Sequence, residues 1–487
     1  MLFVNQLVCM RYTEKYMKNM SVRLGILAAL AGFILMVFEL AAARILAPTI
    51  GSSTYVWTSV IGVIIMALSL GYWAGGRIAD KRSRLSDIAL LFLVLGAAIA
   101  VTTLLYQGFL ASVAEWDIDV RIRAVVASLI LFAPASFLLG AISPYLAKLN
   151  VRSLDSSGSA VANLGALNSL GGIVGTFLTG FVLFNVMGAR AIMVSLAIAS
   201  LVIAWRVGFA RTRRNLAASV VVVCLVVLTG NSTGVFAIDT ATAHYTIEDV
   251  TVGERTLRLL ATGPGGKQSG VYMDNPGELA FWYTQQMAAA VELQPEAGRI
   301  AVLGGGAYTL PMYLANKYPD TQIDVVEIDP QLLAIAKEHF GFRELPNITV
   351  YAEDARTFIN RMQNTYDIVL VDVFGDDSIP LSMLTAEYGN ALGSAVRSDG
   401  VVVLNAIAGS NGPCAELFDA IMRPYLDNFA KGYYLPYNTD TVRTNIVSVF
   451  GSSPVVAAPY RDLGSAKGPI YTDDFNPVTQ IQFDCRR

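Results

Sequence analysis

What most constrains this 487-residue chain is a division near residue 234. Before it, long apolar runs follow one another with few charges between them. After it, Asp, Glu, Lys and Arg return at the frequency of ordinary globular proteins. A helix needs roughly 20 mostly apolar residues to cross a hydrocarbon core about 30 Å thick. Runs of that kind lie at 24–46, 54–76, 86–108, 123–147, 160–186, 189–207 and 215–233. They predict a multi-pass α-helical bundle of about seven spans over 24–234, behind a cytoplasmic tail at 1–23. The expected location is the plasma (inner) membrane, with the lipid bilayer as a partner. The average composition, 54% hydrophobic and 15% charged, blends two unlike halves.

Positive charge marks the cytoplasmic side of a membrane protein. Arg11, Lys15, Lys18 and Arg23 place the tail inside. Arg77, Lys81, Arg82 and Arg84 do the same for the second-to-third connection, Lys148 and Arg152 for the fourth-to-fifth, and Arg206, Arg211, Arg213 and Arg214 for the sixth-to-seventh. Seven spans would then put the C-terminal half outside, whereas six would keep it inside, and the sequence leaves that side open. Gly171 and Gly175 stand at GxxxG spacing, suited to close helix approach. Trp57 and Trp73 bracket the second span as interfacial anchors. Glu39 and Arg44 near the end of the first span admit two readings: a mutual pair near the interface, or a substrate or partner site.

From about 244 the periodicity changes. HYTIEDV, TLRLLA and SGVYMD read as strands, the first two joined at Gly253-Glu254. ELAFWYTQQMAAAVEL reads as a helix, so 235–290 is a small β subdomain with a lead-in helix. Over 291–487 strands alternate with helices: RIAVLGG (299–305), TQIDVVEID (321–329), ITVYAED (348–354), YDIVLVDVF (366–374) and GVVVLNAI (400–407). That alternation predicts an α/β Rossmann-like domain with a largely parallel sheet.

Open α/β sheets bind ligands beyond the carboxyl ends of their strands, and there the polar residues collect. Gly304, Gly305 and Gly306 join a strand to a helix, where glycine lets a ligand approach the backbone. Glu327 ends the next strand and suits the hydroxyls of a ribose. Asp354 ends another and suits an adenine amino group. Asp372, Asp376 and Asp377 follow a fourth. Taken together these describe an adenosyl pocket; a dinucleotide site is disfavoured because GxGxxG spacing is absent. The net charge of −3 gives no support for nucleic-acid binding. Cys9, Cys224, Cys414 and Cys485 show no CxxC spacing, so neither zinc nor a disulfide framework is indicated. With His244 and His339 the only histidines, no metal centre and no Ser/His/Asp triad is expected.

LGGGAYTLP, VEIDP, EDAR, YDIVLVDVFGDDSIPLSMLT and YTDDFNPV together resemble the spermidine synthase (polyamine aminopropyltransferase) family. FELAAARILAPTIGSSTYVWTS and GYWAGGRIAD resemble its membrane-fused branch. The resemblance implies a class I methyltransferase-type fold. It also implies that Gly304, Gly305, Gly306, Glu327 and Asp354 hold S-adenosylmethionine or its decarboxylated form as co-substrate. An aminopropyl group would pass to a small-molecule amine or other nucleophile. Asp372 and Asp376 are the catalytic candidates; Tyr283, Asp377 and Asp473 are the substrate-binding candidates, with Glu278 and Asp474 as weaker alternatives. The chain departs from the family where soluble synthases carry Asp: here stand Ala307 and Gly375. Methyl transfer is therefore the alternative chemistry. A transporter or sensor governed by an adenosyl ligand is the alternative class. Acceptor identity and homo-oligomerisation are left open.

Overall fold

The computed structural model describes residues 2–51, 54–116, 118–151, 157–208, 236–240, 242–262, 266–374, 379–438, 443–452, 454, 459–465 and 467–485. The chain divides into two compact units, Met1–Gly234 with Ile238–His244, and Val235–Ala237 with Tyr245–Arg487.

The first unit is helical: α1 (Leu2–Ile50), α2 (Thr54–Lys81), α3 (Leu85–Ala114), α4 (Val120–Leu131), α5 (Ala133–Asn150), α6 (Ser157–Leu178) and α7 (Ala189–Val207). Among the described residues five helices are long and apolar enough to cross a membrane, or six if α4 and α5 form one span bent by 55°. The predicted fourth span is therefore broken, at Phe132 just before Ala133-Pro134, where proline withholds a backbone donor. The seventh run, 215–233, lies outside the described residues.

Helix pairing follows the glycines. A Cβ on Gly32 would lie 1.9 Å from the Asn168 carbonyl oxygen, and one on Gly171 equally close to that of Ala29, so α1 and α6 touch backbone to backbone. Gly71 against Phe137 and Gly140 against Leu68 do the same for α2 and α5, and Gly96 against Ala197 for α3 and α7. Between apolar helices in lipid, such dispersion contacts replace the hydrophobic drive that water supplies. GxxxG here is packing. The Trp73 indole is exposed and carries the Arg77 guanidinium 3.9 Å above it.

The second unit opens with a five-stranded sheet, β1 (Phe236–Asp239) to β5 (Asn275–Leu279) in sequence order, with β2 (His244–Val252), β3 (Arg255–Thr262) and β4 (Gly266–Tyr272) between. The helix α8 covers only Trp282–Val291, so Glu278, expected on that helix, belongs to β5. Pro276 and Gly277 disfavour an earlier helical start.

The larger sheet holds β6 (Arg299–Leu303), β7 (Gln322–Glu327), β8 (Ile348–Ala352), β9 (Tyr366–Val371), β10 (Val396–Ala408), β11 (Lys431–Pro436), β12 (Thr444–Gly451) and β13 (Arg461–Asp462), in the order β13-β11-β12-β10-β9-β6-β7-β8. β8, β7, β6, β9 and β10 pair in parallel, and β12 runs antiparallel to β10 and β11. The helices α9 (Thr309–Lys317), α10 (Pro330–His339), α11 (Ala355–Ile359), α12 (Ala386–Ala395), α13 (Ala415–Leu426) and α14 (Val478–Asp484) complete the unit. Central strands read as continuous buried runs because both faces of a parallel sheet are covered. Each fully buried Val, Leu or Ile in them stabilises the fold by on the order of 1.5–3 kcal/mol. This is a Rossmann-type α/β fold. Its strand order reverses between β6 and β9, and ligands of such sheets bind at that switch point.

One expectation is corrected. Cys414, just before α13, is disulfide-bonded to Cys485, just after α14, across 71 residues of sequence. No local spacing announces the pair, because the terminal helix packing back onto α13 is what brings it together. Closing a loop of that length stabilises a fold by about 4 kcal/mol in the chain-entropy account. Reduction should therefore lower the denaturation midpoint of this unit clearly. An unchanged midpoint would remove the bridge from the stability account.

Candidate functional site

The glycine loop is shaped by what it must avoid. Gly304 has φ +97°, and a Cβ there would meet the Asp372 carbonyl oxygen at 2.2 Å. Gly306 has φ +52°, and its Cβ would lie 2.6 Å from Ser269 Oγ. Tyr308 also takes a left-handed backbone, φ 59°, at the start of α9, a costly conformation for an aromatic residue. Gly304→Ala should cost more than the ~1–2 kcal/mol of left-handed backbone alone, because a carbonyl blocks the new methyl. Thermal unfolding measures this; an unshifted melting temperature would contradict the geometry.

Glu327 ends β7 beneath this loop and is 8% exposed. Its Oε2 accepts from the Gly305 and Gly306 amides at 2.8 and 3.2 Å, and its Oε1 from the Asp329 amide at 2.9 Å. Burial raises its pKa, and the three amide donors act against that rise. A carboxylate offers about four acceptor positions. Three are engaged, so Glu327 both pins the loop and keeps an acceptor direction for a ligand hydroxyl.

Asp354 is the N-cap of α11, accepting from the Thr357 amide at 2.8 Å through Oδ1. It is exposed. Asp372 follows β9 at the switch point. Its Oδ1 accepts from Asn405 Nδ2 at 2.8 Å, and Asn405 Oδ1 accepts from Asn445 Nδ2 at 3.0 Å. The Tyr283 hydroxyl reaches the same carboxylate and donates to the Gln268 carbonyl at 2.9 Å. Burial pushes the Asp372 carboxyl up to about 6, against the lowering effect of Asn405 and Tyr283. Burial and the neighbouring Asp372 charge raise the Tyr283 hydroxyl well above its ordinary value.

The structure thus brings together Gly304, Gly305, Gly306, Glu327, Asp372 and Tyr283, with Asp354 at the next strand end. Asp376 and Asp377 lie outside the described residues. Asp473 is held by Arg356, whose two guanidinium nitrogens reach its oxygens at 3.0 and 2.7 Å, and this contact lowers its pKa. Glu278 is paired with Arg255 at 2.9 Å. Asp474 is exposed. Ala307 is buried, its amide donating to Ser269 Oγ at 3.0 Å. Sequence reasoning missed Ser269, Asn405 and Asn445. Asn405 did leave a signal, as the one polar side chain inside the apolar run VVVLNAIA.

Residues 280–445 match the family described as spermine/spermidine synthase domain. A polyamine aminopropyltransferase of Vibrio vulnificus (strain CMCP6) is 30% identical over 177 residues, 36% of this chain and 58% of that protein. An eEF1A lysine and N-terminal methyltransferase of Homo sapiens is 28% identical over 125 residues, 23% of this chain and 18% of that protein. A probable spermidine synthase from Corynebacterium glutamicum ATCC 13032 is 20% identical with a TM-score of 0.41, over 47% of this chain and 83% of that one. The chain spans less than two thirds of the length of the curated relatives named here.

Proposed function

We propose, from the premise that the α/β unit is spermidine synthase-like, that this protein is a membrane-anchored transferase of the plasma membrane. It would take S-adenosylmethionine or decarboxylated S-adenosylmethionine as co-substrate and pass an aminopropyl group to an amine acceptor. The observation that carries the reading is Asp372 at the switch point, its backbone carbonyl against Gly304 and its carboxylate accepting from Asn405 Nδ2 at 2.8 Å. Gly304 to Gly306 and Glu327 form the strand-end loop at the switch point, where an adenosyl ligand would lie. Asp354 stands at the adenine side of that loop.

An adenosyl sulfonium carries an electrophilic carbon, so the protein's task is alignment and proton removal. The acceptor nitrogen attacks the carbon bound to sulfur. The carbon–sulfur bond breaks with its electrons going to sulfur, leaving a neutral thioether. The new ammonium gives its proton to Asp372, ionised above about pH 6. Asp376, Asp377 and Asp473 would add negative charge around a cationic acceptor, Asp473 in part offset by Arg356.

Methyl transfer is the second reading. It is favoured by Ala307 and Gly375, where an acid would meet the amino group of a decarboxylated donor, and by the methyltransferases among the relatives. Incubating the full-length protein with each donor and a set of diamines, then weighing the products, separates the two. An aminopropylated product supports the first reading, a methylated one the second, and unmodified acceptors with either donor overturn both.

A further inference from the structure

Asn405 stands inside the apolar run VVVLNAIA of β10 and is 2% exposed. Strand register sets it between two other polar side chains. Leu404 pairs with Val371 of β9, so Asn405 stands beside Asp372, the residue after that strand. Across the other edge of β10, Asn405 lies opposite Val447 of β12, and Asn445 lies opposite Ile407. The two asparagines are therefore diagonal neighbours on one face of the sheet. Both contacts are made. Asn405 Nδ2 donates to Asp372 Oδ1 at 2.8 Å, and Asn445 Nδ2 donates to Asn405 Oδ1 at 3.0 Å.

The direction of this series is set at the carboxylate, which when ionised only accepts, whereas an amide carries a donor and an acceptor. Asp372 takes the Asn405 amino group, which turns the Asn405 oxygen toward Asn445 and engages an amino group there. With Asn445 in place, a half-turn of the Asn405 amide would set oxygen against oxygen at Asp372 and amino group against amino group at Asn445. Without the Asn445 donor only the first of these penalties remains. In a buried position each mismatched polar group costs the full loss of its solvation, and bonds in series polarise one another in the same sense. Among the described residues the titratable group that meets the Asp372 carboxyl is the Tyr283 hydroxyl, from α8. The asparagines of β10 and β12 carry no charge, so they act on Asp372 by the direction of their dipoles.

We propose that Asn445 is a positioning residue for Asp372: acting through Asn405, it locks the amide direction that favours the Asp372 carboxylate as an acceptor, ready to take a proton. Asn445 itself reaches Asp372 only through Asn405. The role in the reaction rests on the reading of Asp372 as the proton acceptor; the lock rests on the three side chains alone.

The test is an infrared titration of the full-length protein in detergent micelles. It follows the carbonyl band of the protonated Asp372 carboxyl, identified as the band missing in Asp372→Asn. Asn405→Ala should move its midpoint to higher pH by about one unit or more, the worth of a hydrogen bond to a charged group. Asn445→Leu, which keeps bulk and removes the donor, should move it the same way by a smaller step, about threefold or more in the ionisation constant. In the Asn405→Ala background Asn445→Leu should add nothing, because the connection is already cut. A Leu form that melts early is replaced by Asn445→Ala, with the same expectation. The rising pH limb of turnover should follow the infrared midpoint in each variant. An unmoved midpoint in Asn445→Leu, or an equal step in both backgrounds, would overturn the lock and leave the transferase reading as it stands. A midpoint that moves while the turnover limb stays fixed would overturn Asp372 as the base, and the positioning role with it.

Discussion

Asp372→Asn should lower turnover by roughly 10²–10⁴-fold, the usual worth of a positioned general base, and leave donor affinity nearly unchanged. The asparagine keeps the shape, and its one amide oxygen can still accept from Asn405, so the loss isolates proton removal. In the wild type the rate should rise with pH through about 6, where the carboxyl ionises, and that limb should vanish in the variant. The same group bears on stability with the opposite sign. A carboxyl raised from 3.8 to about 6 holds its proton more tightly folded than unfolded. Its stabilising contribution is therefore present below about 3.8 and lost as pH rises through about 6. Asp372→Asn should consequently be no less stable than the wild type at neutral pH. A variant that loses turnover only because it unfolds would contradict this account, and chemical denaturation beside the rate profile detects that case.

Glu327→Ala should have the second large effect, and on binding. Three backbone amides donate to this carboxylate, and hydrogen bonds to charged groups are worth about 1.5–3 kcal/mol each. The Ala form loses all three and leaves a ligand hydroxyl without its acceptor; that hydroxyl's bond alone, at about 1.5–3 kcal/mol, would weaken donor binding by on the order of 10–10²-fold, taking 1.4 kcal/mol as tenfold. Glu327→Gln should fall between, because an amide keeps one acceptor oxygen and turns a donor toward the glycine amides. Equal affinities in wild type, Gln and Ala forms, measured by calorimetry, would mean that the ligand lies elsewhere.

The strand ends were legible because each is a continuous apolar run closed by glycine or a carboxylate. A parallel sheet buried on both faces cannot hide that pattern. The switch point between VLGGG and VLVD was not read from the sequence, because the order of strands in a sheet carries no local signal. What stayed hidden depends on distant sequence. Cys414 and Cys485 pair through a terminal helix that carries no spacing signal. Ser269 reaches the glycine loop from the small sheet, and Asn405 needs the register of β9, β10 and β12 to reach both Asp372 and Asn445. Glu278 was misplaced because ELAFWYTQQM keeps an apolar rhythm through a strand end and a helix start. In the helical unit the apolar runs were plain. The bend at Phe132 and the π turn after α6 were not, because mean hydropathy is blind to hydrogen-bond phase.

The account rests on the adenosyl pocket. Titrating S-adenosylmethionine and decarboxylated S-adenosylmethionine separately into the full-length protein tests it most directly, with the Glu327→Ala form alongside. Saturable binding of at least one donor, lost in Glu327→Ala, is the predicted result. A folded wild-type protein that binds neither would contradict it.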